Sequence, residues 1–328
     1  MTVRRRIIAL LLFSLPIVAA AHAQVALGPK SVARFASRAE GADILGRNDG
    51  FVQRLSPFDL AARLKKAGNI STQSYLEFVR ASVRDWTDDE KRKLTDGLGG
   101  LQEKLRAFAL PLPAEVLFIK TSGQEEGGAA YTRANAIIVP ATMLGAAMGS
   151  PEHLVAHELF HVLSRANPKL RDRLYAAIGF ERCHEVVLPP SLASRRLTNP
   201  DAPTNDHCIK VTIDGKDTWV VPILFAKSAY DPGRGGDQFF DYMQFKLLVV
   251  ERTGAEVRPA YAGNEPRMVD PDQVSGFFEQ VGRNTSYIIH PEEILADNFA
   301  MLVLGQQAKA KSPEVLEKMR ALLMKAEG

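Results

Sequence analysis

Apolar residues recur with a helical period in three stretches near the start of the chain. The first begins at Ser56-Pro57, residue types that suit a helix cap and a first helical turn. Residues 71–85 repeat the pattern, and Thr87 opens a capping-box sequence before a third apolar series. Residues 24–50 show no sustained period and are expected to be irregular. We therefore predict a helical N-terminal region over residues 24–110.

Strand-like patterns begin after the proline-rich break at residues 110–113, so a second domain is predicted over residues 111–328. Within it, residues 129–139 predict a strand on which Tyr131 and Arg133 share one face. A peptide can add to an exposed sheet edge through main-chain hydrogen bonds, so both side chains are predicted to bind substrate. Other strands are predicted at 116–120 and 245–250, and at 210–213 and 218–221 on either side of the hairpin signal Asp214-Gly215.

The stretch from Pro151 to Ser164 has the apolar flanks of a buried helix and contains the sequence His-Glu-Leu-Phe-His. Residues four apart lie on one face of a helix, so the imidazoles of His157 and His161 are aimed at one point. Neutral imidazole is a common zinc ligand. Glu158 leaves the helix about 100° further round, where it can reach a metal-bound water without being a ligand. This H-E-x-x-H pattern predicts a zinc site.

Two histidines do not complete a zinc site, so a further protein ligand is required. His153 is a poor candidate, because a straight helix holds residues 153 and 161 about 12 Å apart. The extended pattern with a third nearby histidine is also excluded, because Ser164 and Asn167 occupy its glycine and histidine positions. The ligand is therefore expected from a later part of the chain.

A second helix with suitable chemistry is expected to begin at His290-Pro291. Glu293 and Asp297 are four residues apart and share a face of this helix. One of them can bind the metal while the other holds a ligand histidine by its far ring nitrogen. Glu292 is the alternative to Glu293, and the spacing to Asp297 favours Glu293.

Together, the two segments resemble the gluzincin metallopeptidases, the thermolysin-like and lethal-factor-like group. In that group H-E-x-x-H is followed, on a downstream helix, by a ligand Glu and four residues later by Asp or Glu. The resemblance implies Zn²⁺ as cofactor, with the ligands and their partners at the matching positions here. It also implies an α+β, zincin-like catalytic domain with a small mixed or antiparallel sheet beside the zinc-site helices. The implied metal ligands are His157, His161 and Glu293, with Glu158 as general base and Asp297 holding a ligand histidine.

Related enzymes stabilise the oxyanion with a Tyr or His, and Tyr287 and His290 are both candidates because they lie just upstream of Glu293. The expected function is zinc-dependent hydrolysis of peptide bonds in a peptide or protein substrate. The alternative is a zinc-binding, non-hydrolytic envelope protein built on a peptidase scaffold. Glu158 favours the hydrolase, because a pure metal binder has no need of a base.

The first 23 residues have the form of a signal peptide: Arg4-Arg5-Arg6, an apolar run, and the cleavage pattern Ala21-His22-Ala23. The protein is thus expected to be exported, periplasmic or secreted, without a membrane span after cleavage. Cleavage removes three arginines and no acid, which lowers the formal net charge from +3 to 0. The charge therefore gives no reason to expect nucleic-acid binding.

The chain of 328 residues has two cysteines. In an oxidising compartment an even number of cysteines favours pairing, so Cys183 and Cys208 are predicted to form a disulfide. The prolines between them indicate a loop-rich segment. The oligomeric state cannot be assigned from these patterns.

Overall fold

The computed structural model describes residues 24–144, 151–233 and 239–325. The predicted signal peptide lies outside the described residues. The described chain is a mixed α+β fold with two main sheets, which confirms the predicted class at that level. No helix within the described ranges combines the length and apolar character needed to cross a bilayer.

The first sheet is mixed and has the strand order β1-β2-β4-β6-β5, with β3 paired to one end of β4. Strands β2, β4 and β6 run parallel, while β1 and β5 form antiparallel edges. The strands are β1 (Gln24–Gly28), β2 (Ser31–Phe35), β3 (Val83–Arg84), β4 (Glu115–Thr121), β5 (Tyr131–Arg133) and β6 (Ala136–Pro140).

Two predictions for this sheet were wrong. Residues 24–50 are not irregular, because they contain two strands and a helix. The inward side chains of β2 include polar Ser31 and small Ala33, which do not mark a strand in the sequence. The single strand expected over residues 129–139 is a hairpin. Its turn uses Ala134 in the left-handed region, with φ of 51°, a position that usually attracts Gly or Asn.

The helices of the N-terminal region agree with the predicted starts at Ser56 and Thr87, and both residues cap their helices as capping boxes. These helices pack on the first sheet and against later helices. One apolar core includes Leu98 from this region and Phe160 from the later chain, so residues 24–110 belong to the same fold as the site. The helices are α1 (Arg38–Leu45), α2 (Pro57–Leu64), α3 (Thr72–Ser82) and α4 (Asp88–Leu105).

The later helices carry the candidate chemistry. Helix α5 packs on β5 and β6 and also against α4, α6 and α9, and Phe160 contacts Phe299 across the α5–α9 interface with ring centroids 5.6 Å apart. Helix α9 packs in turn against α10. The later helices are α5 (Pro151–Ala166), α6 (Pro168–Ala177), α7 (Pro190–Ala193), α8 (Phe277–Val281), α9 (Pro291–Val303) and α10 (Pro313–Leu323).

The second sheet is antiparallel, with the order β11-β10-β9-β8-β7 and β14 paired to β10. The hairpin predicted at Asp214-Gly215 is confirmed. A long connection, residues 183–206, joins β7 to β8 and runs back to helices α5 and α9. The strands are β7 (Phe180–Arg182), β8 (His207–Ile213), β9 (Lys216–Ala226), β10 (Met243–Thr253), β11 (Glu256–Pro259), β12 (Tyr261–Ala262), β13 (Glu265–Pro266) and β14 (Met268–Val269).

Candidate metal centre

The two helices predicted to carry the ligands meet at one point. His157 and His161 lie one turn apart on α5, with ring centroids 4.8 Å apart. Glu293 lies in the first turn of α9, and its Oε2 is 3.2 Å from His157 Nε2 and 3.5 Å from His161 Nε2. The ligand atoms of these three side chains all lie within 4.8 Å of one another, so the group could hold a metal ion.

The histidines present the right nitrogen for such an ion. Asp297 Oδ1 lies 2.8 Å from His157 Nδ1, and Glu292 Oε1 lies 3.1 Å from His161 Nδ1. A carboxylate at Nδ1 keeps the proton there and leaves the Nε2 lone pair available to a cation. Nε2 of His161 is buried and makes no close hydrogen bond, since Glu293 Oε2 lies 3.5 Å away, so this nitrogen is available to an ion. The residues therefore fit a divalent metal.

The electrostatics of the group also favour a cation. Burial lowers the pKa of His157, but hydrogen bonds to Asp297 and Glu293 outweigh burial and raise it to about 10. Burial acts to raise the pKa of Glu293, yet the charge of His161 and the hydrogen bond from His157 hold this pKa well below its usual range. Surroundings that stabilise an imidazolium stabilise a metal cation for the same reason.

Glu292, weighed as the alternative ligand, supports a histidine instead. Its Oε1 faces His161, and its Oε2 accepts hydrogen bonds from Ser164 at 2.7 Å and from the Tyr175 hydroxyl. Burial acts to raise the pKa of Glu292, but these hydrogen bonds lower it, so the carboxylate stays charged. Glu292 and Glu293 are adjacent in sequence, yet Glu292 contacts Nδ1 of His161 while Glu293 contacts the Nε2 atoms of both histidines.

Glu158 lies beside the ligand group and is buried, with its Oε2 lacking a hydrogen-bond partner. Burial, together with the nearby charge of Asp201, raises its pKa to about 8. Glu158, His161 and Asp201 form a second set of ligand atoms within 4.8 Å of one another. Because Nδ1 of His161 faces Glu292, only its Nε2 remains, and this single nitrogen cannot serve two ions. The two sets are alternatives that share His161.

Of the two candidate oxyanion donors, Tyr287 is exposed and His290 is buried. The side chain of Tyr287 is 40% exposed, and its ring lies 6.5 Å from that of His157. His290 is buried and caps α9: its Nδ1 accepts a hydrogen bond from the backbone N of Glu292 at 3.1 Å, and its Nε2 lies 3.3 Å from the Thr204 carbonyl. Both ring nitrogens of His290 are thus engaged away from the metal group, and burial lowers its pKa to about 4.

The exposed face predicted for β5 was wrong. Tyr131 is 1% exposed and Arg133 2% exposed. Arg133 donates to Asp49 at 2.7 Å and stacks over Phe51, while the Tyr131 hydroxyl contacts Glu125 at 3.4 Å. The alternating pattern indicated a strand edge, but a loop of the N-terminal region covers it. Neither side chain is presented to a substrate at the surface.

The two cysteines are neighbours, but the predicted disulfide is not formed in the structure. Cys183 follows β7 and Cys208 lies in β8, and both are buried free thiols. A hydrogen bond between them raises the pKa of Cys183. The backbone N of Cys183 also donates to the carbonyl of Asp206 at 2.9 Å. Folding therefore brings the two thiols side by side, and their oxidation to a disulfide stays a prediction.

Sequence reasoning missed the contribution of residues 197–206 to the centre. Asn199 Nδ2 donates to Glu293 Oε1 at 2.6 Å, and Asp201 lies beside Glu158. Asn199 and Asp201 stand in a proline-rich loop, where no periodicity indicates which side chains point inward. Only its prolines marked the segment as loop-rich.

The centre, formed by two helices and one loop, is the basis for inferring function. Comparison of the chain with protein-family models, with curated proteins and with solved structures found no match. Function is therefore inferred from the ligand geometry and from the chemistry of the residues that surround it.

Proposed function

We propose that this protein is an exported, zinc-dependent metallopeptidase of the gluzincin type, with a zincin-like catalytic fold. The observation that carries the proposal is the convergence of three atoms, Nε2 of His157, Nε2 of His161 and Oε2 of Glu293. Two imidazoles and one carboxylate are a zinc donor set, whereas calcium and magnesium prefer oxygen ligands alone. Zn²⁺ is the cofactor that this donor set favours.

A zinc ion bound by these residues would polarise a substrate carbonyl and lower the pKa of a water molecule. Glu158 is suited to accept the proton of the attacking water, because burial has raised its proton affinity and one of its oxygens is unpartnered. It can then return the proton to the leaving amine. Tyr287, exposed beside His157, is the residue that we propose donates a hydrogen bond to the developing oxyanion.

The alternative function is zinc binding without hydrolysis, in an envelope protein on a peptidase scaffold. The observation that favours it is Asp201, whose carboxylate lies within 4.8 Å of Glu158 and His161. A protein carboxylate that reaches the metal would close the position that catalytic zinc sites keep open. The unpartnered oxygen of Glu158 favours the hydrolase, because a closed structural site has no use for a buried base.

The decisive experiment is a peptide-library digest with the zinc-loaded wild type and with Glu158→Gln. We expect cleavage by the wild type only, while zinc analysis shows one equivalent in both proteins. Cleavage by the Glu158→Gln variant at the wild-type rate would exclude Glu158 as the base. A wild type that is fully zinc-loaded and inert would favour the non-hydrolytic alternative. Absence of zinc from both proteins would exclude both functions.

A further inference from the structure

A third segment of the chain, residues 197–206, reaches the metal centre between the two helices. Asn199 Nδ2 donates a 2.6 Å hydrogen bond to Glu293 Oε1, the oxygen that points away from the imidazoles. The other end of the same amide is also fixed, because Asn199 Oδ1 accepts a hydrogen bond from the backbone N of Asp201 at 2.9 Å. With both ends engaged, the amide can present only its N–H group to Glu293.

The two residues that follow Asn199 are anchored to α5 and β5. Arg165, four residues after His161, donates from Nη2 to the carbonyls of Pro200 and Asp201 at 3.3 and 3.2 Å. Asp201 Oδ1 accepts hydrogen bonds from the backbone N of Thr132 at 2.7 Å and from its hydroxyl at 2.5 Å. Asn199 is therefore held next to α5, the helix that carries both histidines, while the side chain it contacts comes from α9.

The two oxygens of Glu293 consequently have different partners. Oε1 faces Asn199, and Oε2 faces both Nε2 atoms. A carboxylate free at both oxygens can bind zinc through one or two of them, and a hydrogen bond to one oxygen favours binding through the other. On the basis of the proposed zinc-peptidase function, we propose that Asn199 is a positioning residue that restricts Glu293 to one-oxygen ligation. Such ligation limits the protein's ligands at the ion to three atoms, as a catalytic site requires.

Zinc affinity is the first test and does not depend on hydrolysis. It is measured on the purified protein by competition with a chromogenic chelator, for the wild type, Asn199→Ala and Asn199→Leu. Leucine matches the size of asparagine without its N–H group, so it separates the hydrogen bond from side-chain volume. Both variants should bind zinc about 10- to 100-fold more weakly. The matched control is Asn205→Ala, which removes a 2.9 Å hydrogen bond to the Pro222 carbonyl in the same connection. Its zinc affinity should be unchanged.

Cobalt substitution supplies a signature that a merely structural role would not change. A second oxygen from Glu293 would raise the coordination number of bound Co²⁺ and weaken its visible absorption bands. We expect weaker bands in both Asn199 variants and wild-type bands in Asn205→Ala. Folded Asn199 variants with the affinity and cobalt spectrum of the wild type would overturn the proposal, even if their melting temperatures fell.

X-ray absorption of the zinc-loaded wild type tests the same claim without any substitution, so variants that fail to fold do not block it. It should show two nitrogens and a carboxylate bound through one oxygen, and two-oxygen ligation would contradict the positioning role. If the wild type binds no zinc at His157, His161 and Glu293, the proposed function is wrong, and this inference is wrong with it. If the wild type binds zinc at these residues and the Asn199 variants match it in zinc affinity and cobalt spectrum, only this inference is wrong.

Discussion

Asp297 Oδ1 lies 2.8 Å from Nδ1 of His157, although 140 residues separate them in the chain. This contact joins α9 to α5 and determines which nitrogen of His157 faces the metal group. Thr285 holds the second oxygen of Asp297 through its hydroxyl, so the carboxylate is itself oriented. The orientation of the ligand histidine thus depends on hydrogen bonds made by residues that are not themselves ligands.

Loss of this contact should weaken metal binding without removing a ligand. We expect Asp297→Ala to lower zinc affinity about 10- to 100-fold, because the imidazole of His157 loses the partner that fixes its tautomer and orientation. Competition with a chelator measures the change. Asp272→Ala, at an exposed position in the described chain, is the control and should bind zinc as the wild type does. Equal affinities for the two variants would show that Asp297 does not support the site.

The metal should also contribute to stability. A ligand that binds only the folded state at about 100 times its Kd stabilises it by about 2.7 kcal/mol. Thermal unfolding of the chelator-treated protein should therefore shift upward on addition of zinc. His157→Ala should abolish this shift, since it removes one of three ligands. In contrast, His184→Ala should retain it, because His184 is largely exposed and pairs with Glu256. If zinc raised the melting temperature of His157→Ala as much as that of the wild type, the ion would bind at a different site.

Tyr287 offers a test of oxyanion stabilisation that leaves the fold and the ligands intact. Because a donor to the oxyanion acts in the transition state, Tyr287→Phe should lower kcat about 10²- to 10³-fold with little effect on KM. The matched control is Tyr261→Phe, another exposed tyrosine, at 54% exposure. Steady-state kinetics on a cleaved peptide provide both constants. An unchanged kcat for Tyr287→Phe would show that a group other than the Tyr287 hydroxyl donates the hydrogen bond to the oxyanion.

The group of side chains that could hold a metal could be predicted from the sequence because helix geometry relates spacing to position. His157 and His161 are four residues apart, and so are Glu293 and Asp297, and each pair had to share a helix face. That geometry did not show how α5 and α9 meet. Nor did it show that Glu292 would hold His161, because the choice between adjacent carboxylates depends on the rotation of α9 in the folded protein.

Other parts of the site depend on tertiary contacts that leave no periodic signal. Asn199 contacts Glu293 from a loop whose path is set by Arg165 and Thr132, residues far away in sequence. The burial of Arg133 depends on Asp49, in a region where no regular structure was expected. Loops and edge strands are positioned by such distant partners, so their orientation could not be inferred from local pattern.

A buried ion-pair network connects the N-terminal region to this loop and allows a last prediction. Arg63 of α2 pairs with Asp59 and with Glu126, and all three side chains are almost fully buried. Arg63 also donates to the carbonyl of Thr198, the residue before Asn199, at 2.9 Å. The network therefore holds residues 24–110, the β4–β5 connection and the loop of the metal centre together.

Removal of one partner from this network should lower the free energy of unfolding. Glu126→Ala leaves part of the charge of Arg63 buried without compensation, for which about 3–5 kcal/mol of destabilisation is expected. Urea unfolding of the metal-free protein measures this, and Glu103→Ala on the exposed face of α4 is the control, expected within about 0.5 kcal/mol of the wild type. If residues 24–110 were a dispensable addition, Glu126→Ala would unfold like the control. A large loss of stability would instead show that the region helps to hold the loop that carries Asn199.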